Sequence, residues 1–332
     1  MTAIHSTAAA TVPVTPETET GTIAAAAPAL WIVIPVWNGR RDTIECLASL
    51  DRQNWRALHV LVVDNGSVDG TADVVAEQFP SVAVLRLSRN TGFTGGCNTG
   101  IQHAFAQGAD YVLLLNNDTI VDPDALFHLM DAAQTWPGPG LFSPLILYHA
   151  SPDTVWYGGG MVDLKSGHTS HEFAETRQYP DRPYQTQWAS GCVCLISRRA
   201  YERLGVLDPA YFASYEDVDL SLRARQAGFD IVVVPSAKVW HKVSASWRGQ
   251  GQFYFYSVRN RLYFLRKFSG PARALAWGVR MGTGAVFYAI ASLFRRQPAE
   301  AKTYLFMLCG VLAFLAGHRG AAPWWVYRWG KI

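Results

Sequence analysis

The sequence predicts an α/β protein with a mostly parallel central sheet flanked by helices, followed by a helical C-terminal extension. Short apolar segments of strand length recur between residues 30 and 234, and segments with helical spacing separate the first of them. Beyond residue 250 only helical spacing is found. Strands that alternate with helices form βαβ units, whose strands run parallel and are covered on both faces.

The elements are predicted in the following order. The alternating part contains strand 30–35, helix 42–50, strand 58–63, helix 70–79, strand 82–87, helix 95–107, strand 111–115 and helix 123–135. A Trp-Pro-Gly-Pro-Gly turn at 136–140 ends this regular pattern. After it we expect strands 141–147, 154–157, 188–196 and 231–234, and one helix, 216–227.

The 332 residues divide into a predicted disordered leader (1–29), an α/β domain (30–245) and a basic helical extension (246–332). The leader is rich in Ala, Thr and Pro and has neither a basic segment nor a sustained apolar run, so it does not resemble a signal peptide. The five cysteines have no spacing typical of a zinc ribbon or a disulfide framework, which fits a reducing cytoplasm.

Charge is distributed unevenly along the chain. From Lys242 onward, 14 Lys and Arg residues face a single acid, Glu300, whereas the first 241 residues hold 15 basic and 25 acidic residues. The basic residues of the extension are interleaved with Trp, Tyr, Phe and Leu on apolar helical segments. That mixture favours an anionic membrane surface over nucleic acid as the partner.

Two uncharged segments of the extension bear on how it meets a membrane. Segments 281–294 and 303–317 have 14 and 15 residues, fewer than the roughly 20 that a spanning helix needs. We therefore predict interfacial or re-entrant helices, anchored by Arg295, Arg296, Trp324, Trp325 and Trp329. The alternative is a helical subdomain that packs on the α/β domain.

The end of the second strand carries the first candidate site residue. Ligands of open parallel sheets bind beyond the carboxyl ends of the strands. Asp64 ends strand 58–63 and its carboxylate can accept a hydrogen bond from a nucleobase N–H. Asp-Asn-Gly-Ser is also an ordinary turn, and Ser67 or Asp69 an ordinary helix cap.

A second candidate site follows strand 111–115. Asn116 and Asp118 have i, i+2 spacing, so their side chains can face the same side. Two oxygen ligands there suit a Mg²⁺ or Mn²⁺ ion that bridges a diphosphate. A capped turn between strand and helix, with Thr119 or Asp122 as the cap, is the structural alternative.

Acidic residues open the helix at 216–227. The helix dipole favours negative charge in this turn, and Asp219 is expected to pair with Arg223 in a solvated or semi-buried ion pair. Glu216 and Asp217 are left without an obvious structural partner, so one of them could serve as the general base for an acceptor hydroxyl. A lone histidine such as His241, after the last strand, is more often structural and becomes a metal candidate only beside Asp118.

Together these segments resemble glycosyltransferase family 2, the inverting GT-A enzymes, and within it the rhamnosyltransferase-like branch. The resemblance runs from residue 32 to 268. Its ordered elements are Pro35, Asp-Asn-Gly-Ser-x-Asp-Gly-Thr at 64–71, Asn-Thr-Gly-Phe-Thr-Gly-Gly-Cys-Asn at 90–98, Asn116-Asn117-Asp118, Gly191, Glu216-Asp217-x-Asp-Leu and His241. Each element is weak alone, but their common order is specific.

The resemblance implies roles for individual residues. The nucleotide would be bound by Pro35, Asp64, Asn90, Gly92, Phe93, Asn116 and Asn117. Asp118 and His241 would hold Mg²⁺ or Mn²⁺, and Asp217 would be the catalytic base, with Glu216 as its rival. Trp240, Arg259 and Asn260 would serve the acceptor or a lid, the last two touching phosphate.

One position departs from the family pattern. Asn116 stands where the family has the first Asp of its Asp-x-Asp metal motif. An amide oxygen binds a hard cation more weakly than a carboxylate does, so the metal would rely on Asp118, the donor diphosphate and His241.

The resemblance implies an inverting, metal-dependent sugar transfer. The donor would be dTDP-rhamnose or a UDP-sugar, and the acceptor a hydroxyl of a surface glycan or polyprenyl-linked glycan at the cytoplasmic face of the cell membrane. A Rossmann oxidoreductase is disfavoured because no G-x-G-x-x-G follows the first strand. A nucleotidyltransferase would need an early basic Gly-rich loop, and a non-catalytic glycan- or lipid-binding membrane protein leaves Glu216 and Asp217 unexplained. The oligomeric state stays open.

Overall fold

The computed structural model describes residues 27–243 and 251–329, so nearly all of the predicted leader and the predicted boundary at 245/246 lie outside the described residues. The predicted α/β architecture is confirmed within them. The strands are β1 Leu30–Val36, β2 Leu58–Asp64, β3 Ala83–Arg86, β4 Tyr111–Leu115, β5 Thr119–Val121, β6 Gly140–Tyr148, β7 Ser151–Tyr157, β8 Gly160–Asp163, β9 His168–His171, β10 Tyr184–Gln185, β11 Val193–Ser197 and β12 Asp230–His241. The helices are α1 Arg40–Leu50, α2 Thr71–Gln78, α3 Gly92–Ala106, α4 Ala125–Thr135, α5 Arg198–Leu204, α6 Glu216–Gln226, α7 Gly251–Ser269, α8 Pro271–Phe294, α9 Pro298–Leu315 and α10 Trp324–Trp329.

The main sheet has the order β10-β12-β6-β11-β4-β1-β2-β3, with β5 paired to β12 and β7 to β6. Strands β3, β2, β1 and β4 are parallel neighbours, and β12 is parallel to β6. Strand β11 runs antiparallel between β4 and β6. The sheet is therefore mixed, and its parallel half lies in the alternating N-terminal part of the chain.

Apolar side chains on both faces of the sheet are covered by helices. Alternate residues of one strand belong to different clusters: Ile32 and Ile34 pack in one core, and Val33 packs in the other. Helix α3 approaches β1 and β2 closely because Gly100 has no side chain. A Cβ at this position would overlap with Val33 and Val63. This burial on two faces explains the continuous apolar runs that predict the strands.

The last strand is longer than the sequence predicts. Strand β12 runs to His241 instead of ending at residue 234, and its pairing with β6 shifts register between Val234 and Lys238. Pro235 lies in this irregular part, and a proline inside a strand is tolerated at such a bulge. The bulge allows one strand to continue to the residue that enters the candidate site.

Three long helices form most of the described extension. Helix α9 packs against both α7 and α8, and α7 also contacts the α/β domain. Helices α8 and α9, with 24 and 18 residues, are long and apolar enough to cross a membrane by length and composition. The apolar segment 281–294 predicted from the sequence is shorter than α8, because the helix begins at Pro271 and includes Arg280. Large apolar side chains, among them Phe287 and Phe294, are exposed on it.

Candidate active site

The carboxyl ends of β1, β2 and β4 meet at one edge of the sheet. Strand β1 lies between the other two, and Val36 at its end is in register with Asp64 at the end of β2. The Asp64 side chain is buried, and its Oδ1 accepts a hydrogen bond from the backbone N–H of Ser67 at 3.0 Å. Pro35 lies beside Gly96 of α3 at the same edge. These predicted nucleotide residues are neighbours.

Asn65, for which no role was predicted, fixes the loop that precedes α3. Its Oδ1 accepts hydrogen bonds from the N–H and the hydroxyl of Thr91, and its Nδ2 donates to the carbonyl oxygen of Gly92 at 2.8 Å and to Oδ1 of Asn90. Gly92 has a φ of +82°, and a Cβ there would overlap with the carbonyl oxygen of Phe212. Asn65 therefore holds residues 90–92, which are the end of the loop and the first residue of α3, and Phe93 follows in that helix.

The two asparagines after β4 differ in their surroundings. Asn117 donates from Nδ2 to the Thr43 hydroxyl at 3.0 Å and thereby joins the end of β4 to α1. Asn116 donates its backbone N–H to the carbonyl of Cys192, but its side-chain Oδ1 is buried without a hydrogen-bond partner among the described residues. A buried acceptor without a donor is costly unless a ligand satisfies it.

Asp118 and His241 meet across the sheet. His241 Nε2 lies 3.1 Å from Asp118 Oδ1, and both side chains are buried. The strand pair β5 and β12 aligns His241 with Thr119, the residue after Asp118, which brings the two side chains together. The indole of Trp156 packs edge-on against the imidazole, with the ring centroids 4.5 Å apart.

These residues are the candidate ligands for a cation. No group of three or more His, Cys, Asp or Glu residues with metal-binding geometry occurs in the described ranges 27–243 and 251–329. Asp118 supplies a carboxylate, His241 supplies the Nε2 that faces it, and Asn116 has a buried amide oxygen without a partner in those ranges. This donor set fits a Mg²⁺ or Mn²⁺ ion whose remaining ligands come from a diphosphate.

The acidic pair at the start of α6 has two different environments. Glu216 is buried, its Oε2 has no hydrogen-bond partner among the described residues, and desolvation together with the charge of Asp217 raises its pKa well above the ordinary value. Asp217 is partly exposed, and desolvation raises its pKa against the lowering effect of the Gly191 and Val218 N–H groups. The Gly191 N–H donates to Asp217 Oδ2 at 2.9 Å.

Gly191 links this carboxylate to the other parts of the edge. A Cβ on Gly191 would lie 3.3 Å from both Asp217 and the Phe93 ring, so all three are in close proximity. The carbonyl of the adjacent Cys192 accepts a hydrogen bond from the Asn116 N–H. Desolvation raises the pKa of the Cys192 thiol most, and the charges of Asp118 and Asp217 raise it further. The structure therefore brings the nucleotide, metal and base candidates to one edge.

The predicted ion pair of Asp219 and Arg223 is present and semi-buried. The Asp219 side chain is fully buried, that of Arg223 is 21% exposed, and Arg223 Nε donates to Asp219 Oδ1 at 2.7 Å. The Tyr211 hydroxyl and the ammonium group of Lys267 both contact Oδ2. The cations of Arg223 and Lys267, on different helices, thus neutralise this charge, and the Tyr211 hydroxyl adds a hydrogen bond. Glu216 and Asp217 are left as the acids available for chemistry.

Arg259 and Asn260 do not have the predicted position in a lid that touches phosphate. Both side chains are buried in α7 and bind backbone carbonyl groups in the segment before α6. Trp240 is also placed differently from the prediction. It alternates with His241 along β12, packs with Leu145 and Leu147, and donates from Nε1 to the carbonyl of Pro152. Its side chain therefore faces away from the Asp118–His241 pair.

The mixed sheet with its flanking helices and the family motifs at its edge define a glycosyltransferase of the GT-A class. The family model described as glycosyl transferase family 2 matches residues 31–205, just over half of the chain. The chain belongs to glycosyltransferase family 2 and is a glycosyltransferase. The oxidoreductase, the nucleotidyltransferase and the non-catalytic binding protein are thereby set aside.

A curated relative supports the predicted branch. The chain is 32% identical over 219 residues to N-acetylglucosaminyl-diphospho-decaprenol L-rhamnosyltransferase of Mycobacterium tuberculosis, an alignment that covers 59% of this chain and 70% of the relative.

Solved structures show the same fold. GalNAc-T7, solved with UDP, GalNAc and Mn²⁺, has a TM-score of 0.57 at 18% identity, with 71% of this chain and 48% of that chain covered. The mannosyltransferase PcManGT from Pyrobaculum calidifontis, solved with GDP-Man and Mn²⁺, has a TM-score of 0.53 at 16% identity, with 88% of each chain covered.

Proposed function

We propose that this glycosyltransferase moves a deoxyhexose such as rhamnose from a nucleotide diphosphate donor, dTDP-linked or UDP-linked, to a hydroxyl of a polyprenyl-diphosphate-linked glycan, with inversion at the anomeric carbon. The name of the mycobacterial relative supports both the sugar and the acceptor class. The geometry that carries the proposal is the Asp217 carboxylate, held on the Gly191 N–H at the same edge as the Asp118–His241 pair.

Asp217 is the better candidate for the general base. It is partly exposed, whereas Glu216 is buried and its pKa is raised further. A base must reach the acceptor hydroxyl and must be ionised at working pH. In the proposed step, Asp217 takes the hydroxyl proton while the acceptor oxygen bonds to the anomeric carbon. The bond from that carbon to the β-phosphate oxygen breaks, and its electron pair leaves with the nucleoside diphosphate.

The donor is proposed to lie between the Asp64 edge and residues 90–93, where the loop passes into α3. Asp64 would accept from the base, and the loop fixed by Asn65 would frame the nucleotide. Asn116, Asp118 and His241 would hold the cation. Bound there, Mg²⁺ or Mn²⁺ would neutralise charge that develops on the departing diphosphate.

The extension is proposed to hold the enzyme at the cytoplasmic face of the cell membrane, where a polyprenyl-linked substrate lies. Helices α8 and α9 expose large apolar side chains, and the extension is strongly basic. Both features favour binding to a membrane with anionic lipids.

Purified full-length protein in detergent tests the proposal. A panel of nucleotide sugars is incubated with a short-chain N-acetylglucosaminyl-diphospho-polyprenol and Mn²⁺ or Mg²⁺, and released nucleoside diphosphate and glycolipid product are measured. We expect one deoxyhexose donor to give product with inverted anomeric configuration, as read by NMR. Product with retained configuration, or no transfer from any donor to this acceptor class, would contradict the proposal.

A further inference from the structure

We propose that Asn260, supported by Arg259, is a positioning residue for catalysis: it holds the segment 211–215 in the strained conformation that aims Asp217. Helix α7 of the extension would then complete the active site in addition to any membrane role. The inference rests on the proposed function of Asp217 as the base.

The segment that leads into α6 is strained. Phe212, Ser214 and Tyr215 have φ angles of 64°, 70° and 72°, in the left-handed region that non-glycine residues rarely adopt. Tyr215 is also the residue before Glu216, at the N-terminal end of α6. Such a run persists only where its surroundings impose it, and it sets the direction in which α6 begins.

Asn260 supplies much of that restraint. Its side chain is 1% exposed, and Nδ2 donates to the carbonyl oxygens of Tyr211 at 3.0 Å, Ala213 at 2.7 Å and Ser214 at 2.8 Å. An amide nitrogen has two hydrogens, so these bonds are shared among converging acceptors. The three carbonyls face one donor only because the backbone turns through the left-handed residues.

Arg259 also binds this segment and contacts Asn260. Nη2 donates to the Tyr211 carbonyl at 2.9 Å, Nη1 donates to the Gly320 carbonyl, and Nε donates to Oδ1 of Asn260 at 3.0 Å. No carboxylate pairs with this guanidinium among the described residues, and burial lowers its pKa to about 10. Its hydrogen bonds go to backbone and to Asn260, which orients the amide donor.

Two further contacts join α7 to this region. The Phe212 ring stacks on Tyr256 with the centroids 5.3 Å apart and an interplanar angle of 10°. Lys267 pairs with Asp208 and with the buried Asp219 of α6. Contacts along the length of α7 thus act on both sides of the strained segment.

The donor loop has its own restraint, which makes the inference specific. Residues 90–92 are held by Asn65. Within residues 27–243 and 251–329 a single hydrogen bond, from the Thr94 N–H to the Phe212 carbonyl at 3.1 Å, joins α3 to the strained segment, beside the packing of Gly92 against Phe212. Loss of Asn260 should therefore misdirect Asp217 far more than it disturbs the donor.

The first test is Asn260→Asp, which keeps the shape and removes the donor. With the detergent-solubilised full-length enzyme, we expect kcat to fall by about 10²-fold, within the range of general-base effects, and the donor KM to change by less than about threefold. In Asn260→Ala, which adds no charge, the acidic limb of the pH profile should move to lower pH, because a less enclosed Asp217 is easier to ionise. Arg266→Gln, an exposed change on the same helix, is the matched control and should behave as wild type.

The second test uses relief of strain. Glycine accepts positive φ without penalty, so the double variant Asn260→Ala/Ser214→Gly should have a kcat roughly fivefold or more above that of Asn260→Ala. Ser214→Gly alone is measured as the reference. Absence of any rescue together with an unmoved pH profile, or wild-type kcat in Asn260→Asp, would overturn the inference. If Asp217→Asn keeps full turnover while these effects on kcat persist, the base assignment fails separately.

Discussion

The substitution Asp217→Asn tests which of the two acids at the start of α6 is the general base. Asp217 accepts the Gly191 N–H on Oδ2 at 2.9 Å and the Val218 N–H on Oδ1 at 2.8 Å. Asparagine has one oxygen, so one of these two N–H groups loses its acceptor, at a cost of about 1–3 kcal/mol in stability. The shape of the side chain is otherwise preserved, and neither of these two hydrogen bonds involves residues 90–92.

The catalytic cost should be larger than the structural cost. An amide cannot take the proton of the acceptor hydroxyl, so kcat should fall by about 10²–10⁴-fold. That loss corresponds to an increase of roughly 3–5 kcal/mol in the activation free energy. Donor affinity, measured by isothermal titration calorimetry with Mn²⁺ present, should stay within a few fold of wild type.

Glu216→Gln is the matched control for this experiment. Glu216 is buried, and desolvation together with the charge of Asp217 raises its pKa well above the ordinary value, so it is less available than Asp217 as a base. Its amide analogue should keep most of the turnover. A wild-type rate in Asp217→Asn with a large loss in Glu216→Gln would refute the reasoning and assign the base to Glu216. In wild type, kcat/KM should fall as pH is lowered through a pKa above that of an ordinary Asp.

The remaining predictions concern stability, donor binding, metal and membrane. The raised pKa lets Glu216 bind more protons in the folded chain than in the unfolded chain, so the free energy of unfolding of the wild type should fall as pH rises above about 4.5. Glu216→Gln should have a higher melting temperature at neutral pH, and its melting temperature should depend less on pH. An unchanged pH dependence would contradict this. Gly92→Ala, at a φ of +82° and against the Phe212 carbonyl, should weaken donor binding by at least about tenfold in calorimetry, and wild-type affinity would show that the loop tolerates the change. Asp118→Ala should lose metal-supported donor binding, and undiminished turnover after EDTA treatment would remove the cation from the scheme. Replacing exposed Phe287 and Phe294 by Ser should reduce co-sedimentation with anionic vesicles severalfold at unchanged activity on a short soluble acceptor, with equal sedimentation as the contradicting result.

Much of the fold could be predicted because its signals are local in sequence. Strands such as Leu30–Val36 and Tyr111–Leu115 are buried on both faces, so nearly every residue in them is apolar and their positions are legible in the sequence. Strand Asp230–His241 was underestimated because Pro235 interrupts the pattern, and only pairing with β6 across a bulge keeps the strand continuous. Helix Arg198–Leu204 was missed because seven residues give too little periodicity.

The sequence by itself determined the family and the chemical types at the sheet edge: the acids after β2 and β4, the acidic start of α6 and the basic, apolar extension. Only the tertiary structure decided how residues such as Arg259, Asn260 and Trp240 are used, because burial and hydrogen-bond partners depend on elements distant along the chain. The same holds for Asp217 and Glu216, neighbours with similar side chains. One carboxylate lies partly exposed on a glycine N–H and the other is enclosed without a partner among the described residues, and that difference in solvation favours Asp217 as the base.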